Sequence, residues 1–131
     1  MKRFFADTNF YLRFILKDNN LQAVKVKNYL KKAKNGQVKI IFSSPVILEM
    51  EFVLRSVYSV SRKRIAKCLM TLVKTNYLEI EEREIWLKAL ETYIKKNFSL
   101  FDFFIFFKAK KENAQVLSFD KDFKKLKKFI K

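Results

Sequence analysis

Apolar and polar positions follow two rhythms along this chain. Short apolar runs of strand length give way repeatedly to longer stretches in which apolar residues recur three and four apart, the spacing of one helix face. The first run, Phe4–Ala6, hands over at Asp7 to a short helix over Phe10–Leu16 that starts near Thr8. A second helix is expected over Leu21–Lys34, with Ala23, Val24, Val26, Tyr29, Leu30 and Ala33 on its apolar positions and Asn35-Gly36 as its stop. Val38–Phe42 is a compact β-branched run and reads as a second strand. Ser44 then reads as a helix cap with Pro45 in the first helical position, where a missing amide hydrogen costs nothing. This helix is expected to reach about Tyr58, with a core stripe at Val46, Ile47, Met50, Val53, Leu54 and Val57. Beyond it the pattern predicts a helix over Ser61–Lys74, a short strand over Asn76–Ile80 and a helix through Ile85, Trp86, Leu90 and Tyr93. A helix opening at Ser99, a strand over Gln115–Phe119 and a basic closing helix over Lys121–Lys131 complete the series. Strands alternating with helices through short joints predict an α/β fold: a mostly parallel sheet of about four strands, covered by helices on both sides. At 131 residues the chain is expected to be one domain, spanning residues 1–131.

Composition narrows the chemistry more by absence than by excess. There is no histidine, so His-based RNA cleavage, a Ser-His-Asp triad and a His-ligated zinc site are excluded. One glycine, Gly36, cannot build a Walker loop or a dinucleotide fingerprint, both of which need several. The single Cys68 lies in a helical apolar pattern, reads as a core residue, and fits a reducing compartment. Asp7 and Arg13 interrupt the first apolar segments, so no signal peptide is read. The run Phe98–Phe107 is too short to span a membrane and carries Asp102. A cytoplasmic protein is expected. Lysine and arginine number 29 against 13 acids, a formal charge of +16, which draws polyanions and favours nucleic acid as partner.

Against this basic background the acids fall into two kinds. Glu81, Glu82 and Glu84 crowd the first turn of a helix, where the dipole favours them without any chemistry. Asp7, Asp120 and Asp122 follow strands, and Asp102 lies among aromatic residues, where an unpaired carboxylate is costly. Asp7 and Asp102 also sit at helix starts, where capping explains Asp7 equally simply, while the aromatic surroundings of Asp102 favour a functional role over a pure cap. Glu49 and Glu51 flank the apolar stripe of their helix at similar angles, so periodicity does not say which faces the crevice. Carboxylates converging at one sheet edge would repel unless a divalent cation joined them. Oxygen donors without His or Cys select Mg²⁺ or Mn²⁺.

Four segments, F-F-A-D-T-N-F (Phe4–Phe10), S-P-V-I-L-E-M-E-F-V-L-R (Ser44–Arg55), S-L-F-D-F-F-I (Ser99–Ile105) and L-S-F-D-K-D-F (Leu117–Phe123), occur in an order and spacing that resembles the PIN-domain ribonucleases. The likeness is to the small VapC-type toxins of toxin-antitoxin pairs and covers nearly the whole chain. It implies a three-layer α/β/α sandwich with a mostly parallel central sheet. It also implies an acidic site at Asp7, Glu49, Asp102 and Asp120, with Glu49 taken over Glu51, and supporting roles for Thr8, Asn9, Ser118 and Asp122. The activity implied is Mg²⁺- or Mn²⁺-dependent hydrolysis of RNA, leaving 5′-phosphate and 3′-hydroxyl ends. The partners implied are an antitoxin and a second copy in a homodimer. Two features depart from the family pattern: phenylalanines crowd the helix after Asp102 where small residues are usual, and the C-terminal end is short and lysine-rich. A noncatalytic basic binding module, a solitary RNA-processing nuclease and an aspartate-nucleophile phosphatase are the competing readings. The last would want a second acid where Asn9 stands.

Overall fold

The computed structural model describes residues 1–17 and 20–130, with Asn20 described by its backbone alone. Two helices follow the first strand: β1 (Lys2–Phe5), α1 (Thr8–Leu16) and α2 (Asn20–Lys34). The second strand also leads into a helix pair: β2 (Val38–Phe42), α3 (Ser44–Ser56) and α4 (Arg62–Val73). The rest of the chain forms β3 (Glu79–Ile80), α5 (Arg83–Lys95), α6 (Leu100–Lys111) and α7 (Lys121–Phe129). Among the described residues the sheet runs β1-β2-β3, all parallel. Lys2 lies opposite Val38 and Phe5 opposite Ile41, while Ile41 and Phe42 face Glu79 and Ile80. Parallel pairing brings the ends of all three strands to one edge, so the residues after Phe5, Phe42 and Ile80 emerge side by side. Helices cover the sheet in a three-layer α/β/α arrangement.

Several joints follow directly from local chemistry. Asp7 caps α1 by accepting a hydrogen bond from the Phe10 amide at 3.0 Å, and Ser61 and Ser99 do the same for the Arg64 and Asp102 amides of α4 and α6. Gly36, at φ +76°, ends α2 in the left-handed conformation that costs glycine little. The α3 cap is one residue earlier than expected: Ser43 is the cap residue and Ser44 is already helical, which moves Pro45 to the second position, where an orphan amide is equally dispensable. The Ser43 side chain makes no capping bond. Instead the Ser44 amide donates to the carboxylate of Glu81 at 2.9 Å, across the edge from β3.

The core is built on large side chains from every layer. Tyr11 packs on Phe42 with ring centres 4.2 Å apart and donates its hydroxyl to the Ile41 carbonyl at 2.9 Å, fastening α1 to β2. Trp86 of α5 stacks on Phe104 of α6 at 4.3 Å and 17° between planes, which is how the aromatic crowding of α6 is absorbed on its inner face. Leu126 anchors α7 as that helix's one buried residue. Cys68 is half-buried at the margin, not central as the pattern suggested, while its neighbours Ile65 and Leu69 are fully buried.

Two strand expectations are corrected. Over Asn76–Ile80 only Glu79–Ile80 pairs; the preceding turn is held instead by Arg83, whose guanidinium donates to the Thr75 and Leu78 carbonyls at 2.9 Å each. Gln115–Phe119, expected as a fourth strand, forms no strand, and the sheet has three among the described residues rather than about four. A strand exists only where a neighbour takes its backbone groups. Here the chain leaves α6 through Asn113 at φ +54° and commits Ser118 to a turn, its hydroxyl accepting from the Asp120 amide at 3.0 Å. Leu117 and Phe119 consequently stand in solvent. Of the expected closing helix over Lys121–Lys131, α7 ends at Phe129 and Lys131 lies outside the described residues.

Candidate metal centre

Three carboxylates meet where the first turns of α6 and α7 converge. Ligand oxygens of Asp102, Asp120 and Asp122 all lie within 4.8 Å of one another. Each is placed by helix-start chemistry. Ser99 caps α6 and sets Asp102 in its first turn; Asp120 caps α7 by accepting from the Asp122 amide at 2.9 Å, which folds two acids two residues apart onto the same spot. Both helix N-termini present partial positive charge to the cluster, which favours carboxylates there.

Asp102 is buried to 9% exposure, whereas Asp120 and Asp122 are open to solvent. Burial pushes the Asp102 carboxyl above its usual range, the negative charges of Asp120 and Asp122 push the same way, and the hydrogen bond from Ser99 pulls back only in part. Repulsion between close carboxylates is what a bound cation removes. With hard oxygen donors only, two of them exposed, the set fits a Mg²⁺ or Mn²⁺ ion that keeps part of its water.

The other expected site residues are placed differently. Asp7 is exposed at the end of β1 as the cap of α1, and Glu49 is exposed on α3, the helix that follows β2. Neither belongs to the group whose oxygens lie within 4.8 Å. Thr8 is buried and its hydroxyl oxygen has no hydrogen-bond partner among the described residues, while Asn9 beside it is exposed. Ser118 holds the turn before Asp120. Asp122, read from sequence as a supporting residue, stands in the cluster alongside Asp120. The signal was the D-x-D spacing at a helix start.

The ambiguity between Glu49 and Glu51 has a physical answer on the structural side. Glu51 points inward, accepts from the Tyr93 hydroxyl at 2.8 Å and from Arg55 at 2.9 Å, and is fully engaged in tying α3 to α5. Burial, the Glu51 hydrogen bond and the Glu51 charge together raise the Tyr93 phenol well above its ordinary range. Arg62 stacks over the Tyr93 ring at 3.6 Å and caps the carbonyls of Tyr93, Lys96 and Phe98, so its depressed pKa, caused first by burial, reflects a sealed joint. Glu49 is left as the free acid on α3.

Sequence reasoning did not foresee the knot at the sheet edge. The Ser44 hydroxyl donates to Glu82 at 2.6 Å and accepts from the Trp86 indole at 2.9 Å, while Lys108 reaches the other Glu82 oxygen at 2.5 Å. Glu81 and Glu82 are structural, as expected, but they brace α3 and α6 instead of serving the dipole of α5. Glu82 holds φ +54° to do so, a conformation that costs a non-glycine residue about 1 kcal/mol or more.

The protein is an α/β/α fold that carries an acidic cluster on a strongly basic body. The family model of the PIN domain matches residues 4–129, and the chain belongs to the PIN domain family, whose members are in general nucleases that use divalent metals. Comparison with curated proteins and with solved structures gave no match.

Proposed function

We propose that this protein is a metal-dependent endoribonuclease whose site is formed by Asp7, Glu49, Asp102 and Asp120, with Asp122 beside them and Thr8, Asn9 and Ser118 in support. The observation that carries this reading is the convergence of Asp102, Asp120 and Asp122 within 4.8 Å in a chain of this family. When bound, Mg²⁺ or Mn²⁺ supplies charge neutralisation at the phosphate and a lowered pKa for attacking water. Asp102 is the fixed member, immobilised by burial and by the Ser99 cap, whereas Asp120 and Asp122 are exposed and complete the set from α7. Asp7 and Glu49 stand on elements that leave the carboxyl edge of the sheet, and in this proposal they would complete the site from that side. Lysines hold the RNA backbone, since a formal charge of +16 attracts a polyanion.

As a VapC-type toxin, the protein would work in the cytoplasm as a homodimer held in check by an acidic or amphipathic antitoxin. Among the described residues no helix is long and apolar enough to cross a membrane. The test is cleavage of structured RNA in Mn²⁺ by wild type, Asp7→Asn and Asp102→Asn, with the new ends mapped. Loss in both variants, with 5′-phosphate products from wild type, is expected. Equal cleavage by all three refutes the site.

A further inference from the structure

One cavity adjoins the proposed site and shares Asp7 and Asn9 with it. It opens between α1 and α2, has a volume of about 230 Å³, and counts Asp7, Asn9, Phe10, Gln22, Lys25 and Tyr29 among its walls. We propose that this cavity binds one unpaired nucleobase of the RNA substrate, stacked on Tyr29 with its neighbouring phosphate on Lys25. This deepens the nuclease reading and rests on it for the identity of the strand.

Tyr29 carries the inference. The residue is 41% exposed, yet Phe4 meets its ring at 5.6 Å and 72°, and Phe10 at 6.4 Å and 66°. These two T-shaped contacts hold the ring in place, so a stacking base would lose little to ordering the protein. Stacking on a fixed aromatic beside cations is how single-stranded RNA is held when its bases are splayed out. Lys25 is exposed in the same wall and gives the mouth the sign that phosphate needs, while the Lys32 ammonium lies over one face of the Tyr29 ring, 5.6 Å from its centre, and leaves the base the other face. The Asn9 amide offers both donors and an acceptor to a base edge. Size points the same way. The cavity is smaller than the roughly 300–1,000 Å³ that holds drug-sized ligands, which suits one or two rings. A partner helix about 10 Å across needs a longer groove. Asp7 belongs to this wall and to the proposed site, so the seated base is adjacent to the bond to be cut.

The experiment uses the full chain in chelator with a short single-stranded RNA carrying one 2-aminopurine, whose fluorescence is quenched by stacking. Wild type, Tyr29→Leu, Tyr29→Trp and Lys25→Gln are compared, with circular dichroism to confirm folding. Tyr29→Leu is expected to weaken binding roughly five- to hundredfold and lose the quenching. Tyr29→Trp keeps both, and Lys25→Gln weakens binding while leaving the quenching at saturation. With Mn²⁺ present, Tyr29→Leu raises KM more than it lowers kcat. Unchanged affinity and quenching in Tyr29→Leu overturns the proposal, as does equal loss in the Leu and Trp variants. RNA binding that survives Tyr29→Leu while an acidic helical peptide is lost assigns the cavity to a protein partner, and overturns it too. Failure of the nuclease reading is distinct: wild type that quenches but never cleaves keeps the base site on a noncatalytic protein.

Discussion

Asp102 is where stability and chemistry oppose each other in this molecule. Its carboxyl is raised by burial first and then by Asp120 and Asp122, so the stability it brings is fully present below the ordinary carboxylate range and lost as pH rises through the folded value. Without a cation, the ionised form is therefore a burden. Asp102→Asn should abolish cleavage and, in chelator at pH 7, melt a few degrees above wild type by calorimetry. Mn²⁺ should raise the melting temperature of wild type and leave that of the variant unmoved. The two glutamates of α3 should separate just as cleanly. Glu51→Ala strands the Tyr93 hydroxyl in the interior and removes the partner of Arg55, a loss of about 2–4 kcal/mol in denaturant unfolding. Glu49→Gln, on an exposed side chain, should leave the denaturant midpoint where it is and depress the cleavage rate.

Among the elements, the junction of α3, α5 and α6 at the sheet edge depends on one carboxylate. Burial alone would raise the Glu82 pKa, but the hydrogen bonds from Lys108 and Ser44 and the charges of Lys108 and Lys111 bring it below the ordinary value. A depressed carboxyl contributes stability above its unfolded pKa and loses it as pH falls through the folded one. Glu82→Gln should therefore cost about 1 kcal/mol at neutral pH in urea unfolding, with the two proteins converging at acid pH. A constant difference at every pH would mean that the carboxylate's charge is not what holds the knot. The same junction turns α6 so that Phe104 lies on Trp86 and Lys108 on Glu82. The geometry of α6, and with it the position of Asp102, is thus set partly from the far end of the helix.

For the molecule as a whole, charge and acid centre act on the same ligand from different distances. A body of formal charge +16 attracts nucleic acid through released counterions, while a small acidic cluster would repel it if left bare. Affinity for single-stranded RNA measured in chelator should fall by about tenfold or more between 50 and 200 mM salt, with a log–log slope near −0.7 per phosphate contacted. A flat response would remove the lysine surface from the account of binding. Cleavage rate at saturating RNA should depend far less on salt, because the ionic atmosphere governs capture and not the chemical step.

The residues alone were enough for the alternation of strands and helices and for the helix starts at Asp7 and Ser99, and they nominated the candidate acids, since each is written in a few neighbouring side chains. Local signals failed where a partner distant in sequence decides the outcome. Gln115–Phe119 has strand-forming residues but no pairing neighbour, and Glu49 and Glu51 differ only in whether Tyr93 and Arg55 receive them. Glu81 and Glu82 were rightly set apart from chemistry, yet their work on Ser44 and Lys108 spans 26 to 38 residues and has no local signature. Which carboxylates meet was decided in the same way. Capping turned Asp122 back onto Asp120 locally, but only the packing of α7 through Leu126 brought that pair to Asp102. Sequence supplies the charges and the elements that carry them; distance between charges belongs to the fold, because burial and repulsion are properties of neighbours in space.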